Sequence, residues 1–268
     1  MMTDRRDLRI ALANGPAVLV TVARVDGSGP REVGAWMAVM ATHCIGTIGG
    51  GALEFDAIQR GRASLATGAV SEPWQRCALG PSLGQCCGGV VHLRYEWLAN
   101  ADDLSGRPAH PPSELSVALF GGGHVGRAIA ELLARLPCAV QWFDSRDEVF
   151  PPALPEHIRA EHSEPVHAAV QELVPGAKVL IMSFSHAEDL DIVAACLLRQ
   201  RLVGDLPFIG LIGSKSKWAS FRQRLLARGF GEAELAQVTC PIGVPGVTGK
   251  QPEVIAVAVV AQMLQCLL

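Results

Sequence analysis

A glycine-rich turn between an apolar run and a helical pattern limits the possible folds more than any other feature. The turn, GGGHVG, spans residues 121–126. Residues 116–120 before it are mainly apolar, and residues 127–135 after it carry apolar side chains at helical spacing. A second apolar run ends at Asp144, 23 residues after the first glycine. Strand, glycine turn, helix, strand and acid in this order predict a Rossmann-type nucleotide-binding unit.

The residue types of the turn suit a phosphate. Gly121, Gly123 and Gly126 permit a tight turn and let backbone N–H groups approach an anion, which the helix N-terminus also attracts. His124 lies inside the turn, where it either faces a ligand or caps and packs the helix. The turn therefore predicts a nucleotide-like ligand without indicating a reaction.

Polar residues at the ends of predicted strands extend this site. Asp144 either accepts a hydrogen bond from a ribose hydroxyl or simply ends its strand, and Arg146 is close enough to admit a 2′-phosphate. The sequence thus leaves NAD and NADP both open as ligands. Ser214 and Lys215 lie at a predicted helix start, where they either bind an oxyanion or form a solvated helix cap.

Strands and helices alternate through the second half of the chain. The predicted strands are 178–183, 208–212 and 238–242, and the predicted helices are 188–199, 216–228 and 253–268. This alternation predicts a parallel sheet with helices on both faces. The predicted fold class is therefore α/β, with a C-terminal Rossmann-like domain.

The first half has a different pattern and predicts a smaller α+β domain. Its predicted strands are 17–25, 35–42, 44–48 and 90–97, with a helix over 52–66. A polar, proline-rich segment without apolar periodicity separates the halves. We predict an N-terminal domain over 1–98, a linker over 99–115 and the Rossmann-like domain over 116–268.

Composition excludes several classes of partner. The formal net charge is −3, which gives no electrostatic reason to expect nucleic acid or an anionic membrane. The longest apolar run, 254–268, is interrupted by two glutamines and is too short to span a bilayer. The N-terminus is a poor signal peptide, so we expect a cytoplasmic protein with reduced thiols.

Two adjacent cysteines, Cys86 and Cys87, stand out because glycines flank them. A disulfide between sequence neighbours is strained, so a structural bridge is not expected. Exposed thiolates at this position are able to ligate a soft metal or attack sulfur, and Gln85 precedes them. The alternative is a glycine turn that contains the cysteines incidentally.

A second glycine run precedes the helix of the first half. Gly49, Gly50 and Gly51 form either an oxyanion cradle or a tight turn. Arg31 adds a cation that is able to contact a phosphate in a bidentate way. The first half therefore carries candidate ligand groups of its own.

Seven motifs in a fixed order, within residues 10–265, resemble the XdhC/CoxI family. They are GSGPR at 27–31, GTIGGGALE at 46–54, LGQCCGG at 83–89, GGGHVGR at 121–127, DSR at 144–146, GLIGSKSK at 210–217 and CPIG at 240–243. The resemblance implies a chaperone of the molybdenum cofactor (molybdopterin) rather than an enzyme, although the residues alone leave enzyme activity open. Such a chaperone binds the cofactor, supports its sulfuration with a cysteine desulfurase and delivers it to a molybdenum hydroxylase such as xanthine dehydrogenase. The resemblance also implies a homodimer, and it places the family's cysteine motif at Cys86 and Cys87.

Two other functions remain open from the residues alone. The glycine turn with Asp144 also fits an NAD(P)-dependent oxidoreductase, although Tyr95, the single tyrosine, lacks the lysine four positions later that short-chain dehydrogenases use. A base such as His186 or Lys215 remains conceivable for such an enzyme. The third function is an adaptor that senses nucleotides or redox state through its cysteines.

Overall fold

The computed structural model describes residues 5–79, 88–105 and 115–265. The chain divides into two compact units, Met1–Pro112 and Ser113–Leu268. Each unit has its own sheet and its own core.

The first unit contains an antiparallel sheet of five strands. Its elements are α1 (Arg5–Leu12), β1 (Ala17–Asp26), β2 (Trp36–Val39), β3 (Cys44–Gly46), α2 (Gly51–Thr67), β4 (Trp74–Ala78) and β5 (Val90–Leu98). The strand order is β3-β2-β1-β5-β4. Alternate apolar residues of β1 point to opposite faces, as the twofold period of a strand requires. One face packs against α2 and the other packs, at one end, against α1.

The core beneath α2 explains why this helix forms here. Leu53 and Ala57 of the helix are buried against Val18 and Val20 of β1. Gly61 lets the helix approach the sheet closely, because a Cβ at this position would lie 3.0 Å from Val39. The sheet thereby fixes the start of α2, where the second glycine run lies.

Residues 101–104 lie within the segment predicted as a linker. They form a 3₁₀ turn that Asn100 caps, and Leu104 is buried against α1. The first unit therefore includes the beginning of the segment predicted as a linker, because one apolar side chain in a polar stretch is enough to anchor it.

The second unit is a parallel six-stranded sheet, which confirms the predicted α/β class. Its elements are β6 (Leu115–Phe120), α3 (His124–Leu133), β7 (Cys138–Asp144), β8 (Ile158–His162), β9 (Lys178–Ile181), α4 (His186–Leu202), β10 (Phe208–Leu211), α5 (Lys215–Ala227), α6 (Glu232–Leu235), β11 (Val238–Thr239) and α7 (Pro252–Gln265). The strand order is β11-β10-β9-β6-β7-β8. Helices α3 and α7 cover one face of the sheet, and α4 and α5 cover the other.

The chain leaves the middle of this sheet in two directions. From β6 it proceeds to β7 and β8 on one side, and from β9 it proceeds to β10 and β11 on the other. The neighbouring strands β6 and β9 therefore flank a topological switch point, where open parallel sheets bind ligands beyond the carboxyl ends of the strands. Within the described ranges, no helix combines the length and apolar character needed to cross a bilayer.

Candidate functional site

The carboxyl edge of the sheet in the second unit carries half of the predicted ligand residues. The glycine turn follows β6, Asp144 ends the neighbouring β7, and Ser214 follows β10. Residues 183–185 follow β9, directly beside the glycine turn. Parallel strands end at the same edge of a sheet, so these segments share one edge.

Close backbone packing accounts for two of the glycines. Gly121 has φ of 121°, and a Cβ on it would lie 2.0 Å from the carbonyl oxygen of Met182 at the end of β9. A Cβ on Gly126 would lie 2.0 Å from the carbonyl oxygen of Gly121. These two glycines are therefore required by the contact of α3 with β6 and β9, whether or not a ligand binds.

The third glycine lies at the open end of α3. No atom lies within 4 Å of a Cβ built on Gly123, and this residue is the N-cap of α3 without a side-chain cap. His124 follows as the first helical residue and is exposed. Gly123 is also exposed, and the first N–H groups of a helix have no partner within the helix, so this end of α3 suits an anion.

Asp144 is held by the protein itself. Its Oδ2 accepts hydrogen bonds from the backbone N–H of Gly122 at 2.6 Å and from Nη2 of Arg146 at 2.9 Å. Its Oδ1 accepts from the backbone N–H of Arg146 at 2.9 Å and from Nε of Arg146 at 2.8 Å. Burial, the largest single influence, raises the pKa of Asp144, but these hydrogen bonds together hold the pKa below its ordinary value. The predicted contact of Asp144 with a ribose stays a prediction.

Arg146 lies between this carboxylate and an exposed aromatic ring. Its guanidinium carbon lies 4.5 Å from the ring centroid of Phe184, which follows β9 and is 66% exposed. A cation at this distance from a ring is attracted to its face. The side chain of Arg146 is therefore fixed from two sides at the rim of the switch point.

A buried network supports the loop after β9. The carboxylate of Asp189 accepts hydrogen bonds from the backbone N–H and hydroxyl of Ser183, each at 2.8 Å. Its second oxygen pairs with Nζ of Lys217 at 2.6 Å, and that amine also donates to the carbonyl of Ile212. Lys217 is thus committed to holding the ends of β9 and β10 together.

The predicted oxyanion residues after β10 occupy the start of α5. Ser214 is the N-cap, and its hydroxyl accepts a hydrogen bond from the backbone N–H of Lys217. Lys215 is the first helical residue and its side chain is exposed. Of the two lysines in this motif, Lys215 is the one available to an incoming anion.

In the first unit, the glycine run forms a turn that a carboxylate fills. Gly49, Gly50 and Gly51 all have positive φ, at 123°, 74° and 64°. Oε2 of Glu54 accepts hydrogen bonds from the backbone N–H groups of Ile48 at 2.9 Å and Gly50 at 3.1 Å. The predicted oxyanion cradle therefore contains an acceptor from the chain itself.

Three loops of the first unit meet beside this turn. A Cβ on Gly49 would lie 2.5 Å from Pro30, and Arg31 pairs with Glu32 at 2.9 Å. A Cβ on Gly89 would lie 2.3 Å from the carbonyl oxygen of Ser28. The structure therefore brings Arg31 and the glycine run together, and it fixes one end of the cysteine-bearing segment near them.

The cysteine motif itself is outside the described residues. Gln85, Cys86 and Cys87 belong to the range 80–87, so their predicted role stays a prediction. Five other cysteines are described, and burial raises the pKa of each of their thiols: Cys44, Cys77, Cys138, Cys196 and Cys240. For Cys138 and Cys196 the pKa rises to about 12. These five thiols are poor nucleophiles and poor metal ligands at neutral pH.

Metal-ligand geometry gives no further site in the described part of the chain. Across residues 5–79, 88–105 and 115–265, no group of three or more His, Cys, Asp or Glu side chains is arranged to hold a metal ion. A metal contact by this chain is thus a hypothesis that rests on the cysteine motif.

Two carboxylates that shape the site, Glu54 and Asp189, had no predicted role. Lys217 belongs to the predicted oxyanion motif after β10, and in the structure it pairs with Asp189. A signal for Glu54 was present, because a carboxylate in the first helical turn commonly bonds back to N–H groups before the helix. No local pattern indicates that Asp189 pairs with Lys217, since 28 residues separate them.

The fold and these motifs agree with what comparisons with known proteins show. The family model described as the XdhC Rossmann domain matches residues 117–263, and the model described as the XdhC and CoxI family matches residues 11–72. The uncharacterized protein YqeB of Escherichia coli strain K12 is 25% identical over 260 residues, which cover 94% of this chain and 44% of that protein. This chain thus spans less than half the length of that relative.

A solved structure shares the architecture. The crystal structure of a xanthine dehydrogenase from Bacillus halodurans matches with a TM-score of 0.67, covering 97% of this chain and 94% of that chain. The two sequences are 17% identical, so this likeness concerns the fold. The XdhC Rossmann domain model alone matches more than half of the length of this chain. This chain therefore belongs to the XdhC and CoxI family.

Proposed function

We propose that this chain is an accessory protein of molybdenum hydroxylases. In this proposal it binds the molybdenum cofactor, supports its sulfuration and delivers it to an enzyme such as xanthine dehydrogenase. The observation that carries the proposal is family membership over both units, which suggests an accessory role in the maturation of xanthine dehydrogenase. We also propose that a cysteine desulfurase is its partner in sulfuration, that the chain forms a homodimer and that it is located in the cytoplasm.

The switch point of the second unit supports the binding of a phosphorylated cofactor. The exposed residues Gly123 and His124 lie at the start of α3, where the backbone N–H donors of a helix lack partners within the helix, and exposed Lys215 starts α5. Molybdopterin carries a phosphate, which such donors and a lysine suit. The proposal therefore assigns the phosphate to this edge of the sheet.

The cysteine motif supports a contact with the metal–sulfur end of the cofactor. Thiolates are soft ligands, and an exposed thiolate between glycines would be accessible to a soft metal. The proposal assigns the contact to Cys86 and Cys87 because the family's cysteine motif lies there, and burial raises the pKa of the five described thiols, which disfavours them as alternatives. Arg31 and the turn of Gly49, Gly50 and Gly51 belong to the same unit as the motif.

An NAD(P)-dependent oxidoreductase has less support. The acid that usually binds a ribose diol, Asp144, already accepts four hydrogen bonds from Gly122 and Arg146. Tyr95 is 1% exposed and its hydroxyl donates to Gln75, so it is not placed to act on a substrate. A nucleotide-sensing adaptor would also use the switch point, and dinucleotide titrations separate it from the chaperone.

Retention of the cofactor tests the proposal. The protein is purified anaerobically from cells that make molybdenum cofactor, and its molybdenum and pterin contents are measured together. We expect the wild type to retain both, and Cys86→Ala or Cys87→Ala to retain less. Cys44→Ala is the matched control, because Cys44 is a half-buried thiol of the same unit. Equal retention by a Cys86→Ala/Cys87→Ala double variant would remove the thiolate contact from the proposal.

A further inference from the structure

Asp144 has no acceptor capacity left for a ligand. An ionised carboxylate offers about four lone-pair positions. The four hydrogen bonds from Gly122 and Arg146, between 2.6 and 2.9 Å long, use these positions. The side chain of Asp144 is also 0% exposed. A ribose diol would have to displace Arg146 before it could bond to this acid.

Arg146, in contrast, keeps donors for a ligand. A guanidinium has five N–H groups, of which Arg146 directs one from Nε and one from Nη2 at Asp144. No other acceptor for this guanidinium occurs among the residues that the structure describes. Its side chain is 37% exposed. The edge formed by Nη1 and Nη2 is therefore open to an incoming acceptor.

Phe184 and Asp144 orient this edge in advance. Asp144 holds the guanidinium through two hydrogen bonds, from Nε and Nη2 of Arg146. The Phe184 ring lies against the guanidinium, with 4.5 Å between the guanidinium carbon and the ring centroid. An arginine held in this way loses little conformational freedom when it binds a planar or tetrahedral anion in a bidentate manner. Such an arginine favours a phosphate group over a neutral diol.

The surrounding charges do not oppose a phosphate strongly. Glu188 is near Arg146, but its carboxylate accepts from the hydroxyl of Ser145 and the backbone N–H of Phe184. Arg127 contributes a second cation beside the glycine turn, where Nε donates to the carbonyl of Gly122. Both carboxylates near Arg146, those of Asp144 and Glu188, thus already accept hydrogen bonds from the protein.

We propose that Arg146 gives the switch point of the second unit a preference for ligands that carry a phosphate monoester over ligands that present an unsubstituted ribose diol. Two kinds of compound carry this chemistry, a 2′-phosphorylated dinucleotide and a phosphorylated pterin. The inference rests on the proposed function only for the second of these. It makes Arg146 a specificity-determining residue, with Phe184 and Asp144 as its positioning residues.

Two matched ligand pairs test this selection in the full-length protein by isothermal titration. One pair is NADPH and NADH, which differ only in the 2′-phosphate. The other is the air-oxidised pterin of the molybdenum cofactor before and after removal of its phosphate. We expect the phosphorylated member of at least one pair to bind about tenfold more tightly or better, as charge-assisted hydrogen bonds to a phosphate predict.

Variants of Arg146 assign the selection to this residue. Arg146→Lys keeps the charge without the planar fork, and Arg146→Met removes both, so we expect the preference to fall below about threefold in each. Phe184→Leu should lower the preference partly, and it keeps the ion pair between Arg146 and Asp144. This variant therefore remains informative if Arg146→Met folds poorly. Arg159→Met is the control, because Arg159 is an exposed arginine of β8 in the same unit.

The outcomes separate this inference from the proposed function. Selective binding of NADPH without binding of either pterin would support the role of Arg146 and count against the cofactor chaperone. Selective binding of the phosphorylated pterin would support both. Tight binding of NADH by the wild type, failure of all four compounds to bind, or a preference that survives in Arg146→Lys and Arg146→Met would overturn the inference.

Discussion

Glu54 accepts a hydrogen bond from the backbone N–H of Gly50 at 3.1 Å, inside the glycine turn of the first unit. Asp144 accepts one from the backbone N–H of Gly122 at 2.6 Å, inside the glycine turn of the second. Each turn is therefore stabilised by a carboxylate that the same unit supplies. This arrangement lets each glycine turn form without a ligand.

Removal of Glu54 should destabilise the protein measurably. Glu54→Ala leaves the N–H groups of Ile48 and Gly50 and the hydroxyl of Thr47 without their acceptor. We expect the free energy of unfolding in urea to fall by about 2 kcal/mol, the usual cost of unsatisfied groups that bonded to a charge. Glu72→Ala is the control, since Glu72 forms an exposed ion pair with Arg60 and should cost about 0.5 kcal/mol or less. Equal losses in the two variants would contradict this account of the turn.

Two glycines of the second turn should separate folding from binding. Gly121→Ala places a methyl group 2.0 Å from the carbonyl oxygen of Met182 at positive φ, so we expect a loss of stability above about 3 kcal/mol or no folded protein. Gly123→Ala meets open space and should cost about 1 kcal/mol as a changed helix cap. Gly123→Ala should nevertheless weaken the binding of a phosphorylated ligand. Chemical denaturation and ligand titration of both variants check this contrast.

Two lysines in the first turn of α5 should affect different properties, Lys217 the stability of the fold and Lys215 the binding of a phosphate. Lys217→Met leaves the buried carboxylate of Asp189 without its 2.6 Å partner and should cost about 3 kcal/mol of stability. Lys215→Met should leave stability within about 0.5 kcal/mol, because Lys215 is exposed. It should weaken binding of the phosphate-bearing cofactor at low salt. Unchanged affinity in Lys215→Met would argue against a phosphate at this end of the sheet.

Acid should destabilise the second unit. Burial raises the pKa of Asp144, but hydrogen bonds from Arg146 and Gly122 together hold that pKa below its ordinary value, and the hydrogen bond from Arg199 holds the pKa of Asp205 low. The stability that these carboxylates contribute is fully present above the unfolded-state pKa of about 4 and is lost as the pH falls through the lower folded-state pKa values. Urea unfolding between pH 3 and pH 7 should therefore show a plateau and then a decline below about pH 4. A stability that rises from pH 5 to pH 3 would be the opposite result.

The sequence predicted the parts of the fold that have continuous apolar runs or a strong helical period. The glycine turn, β6, β7 and the alternation that follows were recognisable because buried parallel strands are continuously apolar. The edge strands β4 and β8 were missed, since each has a single buried residue, Cys77 in β4 and Ile158 in β8. Helix α1 was missed because it has only eight residues, half of them charged.

The candidate site was predictable in position and not in its internal contacts. The ends of parallel strands could be placed at one edge from order alone, which located Asp144, Ser214 and the glycine turn. That Arg146 folds back onto Asp144 depends on the side-chain conformation of one loop residue. No sequence pattern encodes that conformation.

Transfer of the cofactor tests the central claim most directly. The anaerobically purified protein, with its molybdenum content known, is mixed with a cofactor-free xanthine dehydrogenase, the two proteins are separated, and molybdenum and hydroxylase activity are followed in each over time. We predict that molybdenum leaves the accessory protein and that activity appears in the enzyme on the same time course. Molybdenum that never copurifies with this chain, or stays with it while the enzyme remains inactive, would contradict the account.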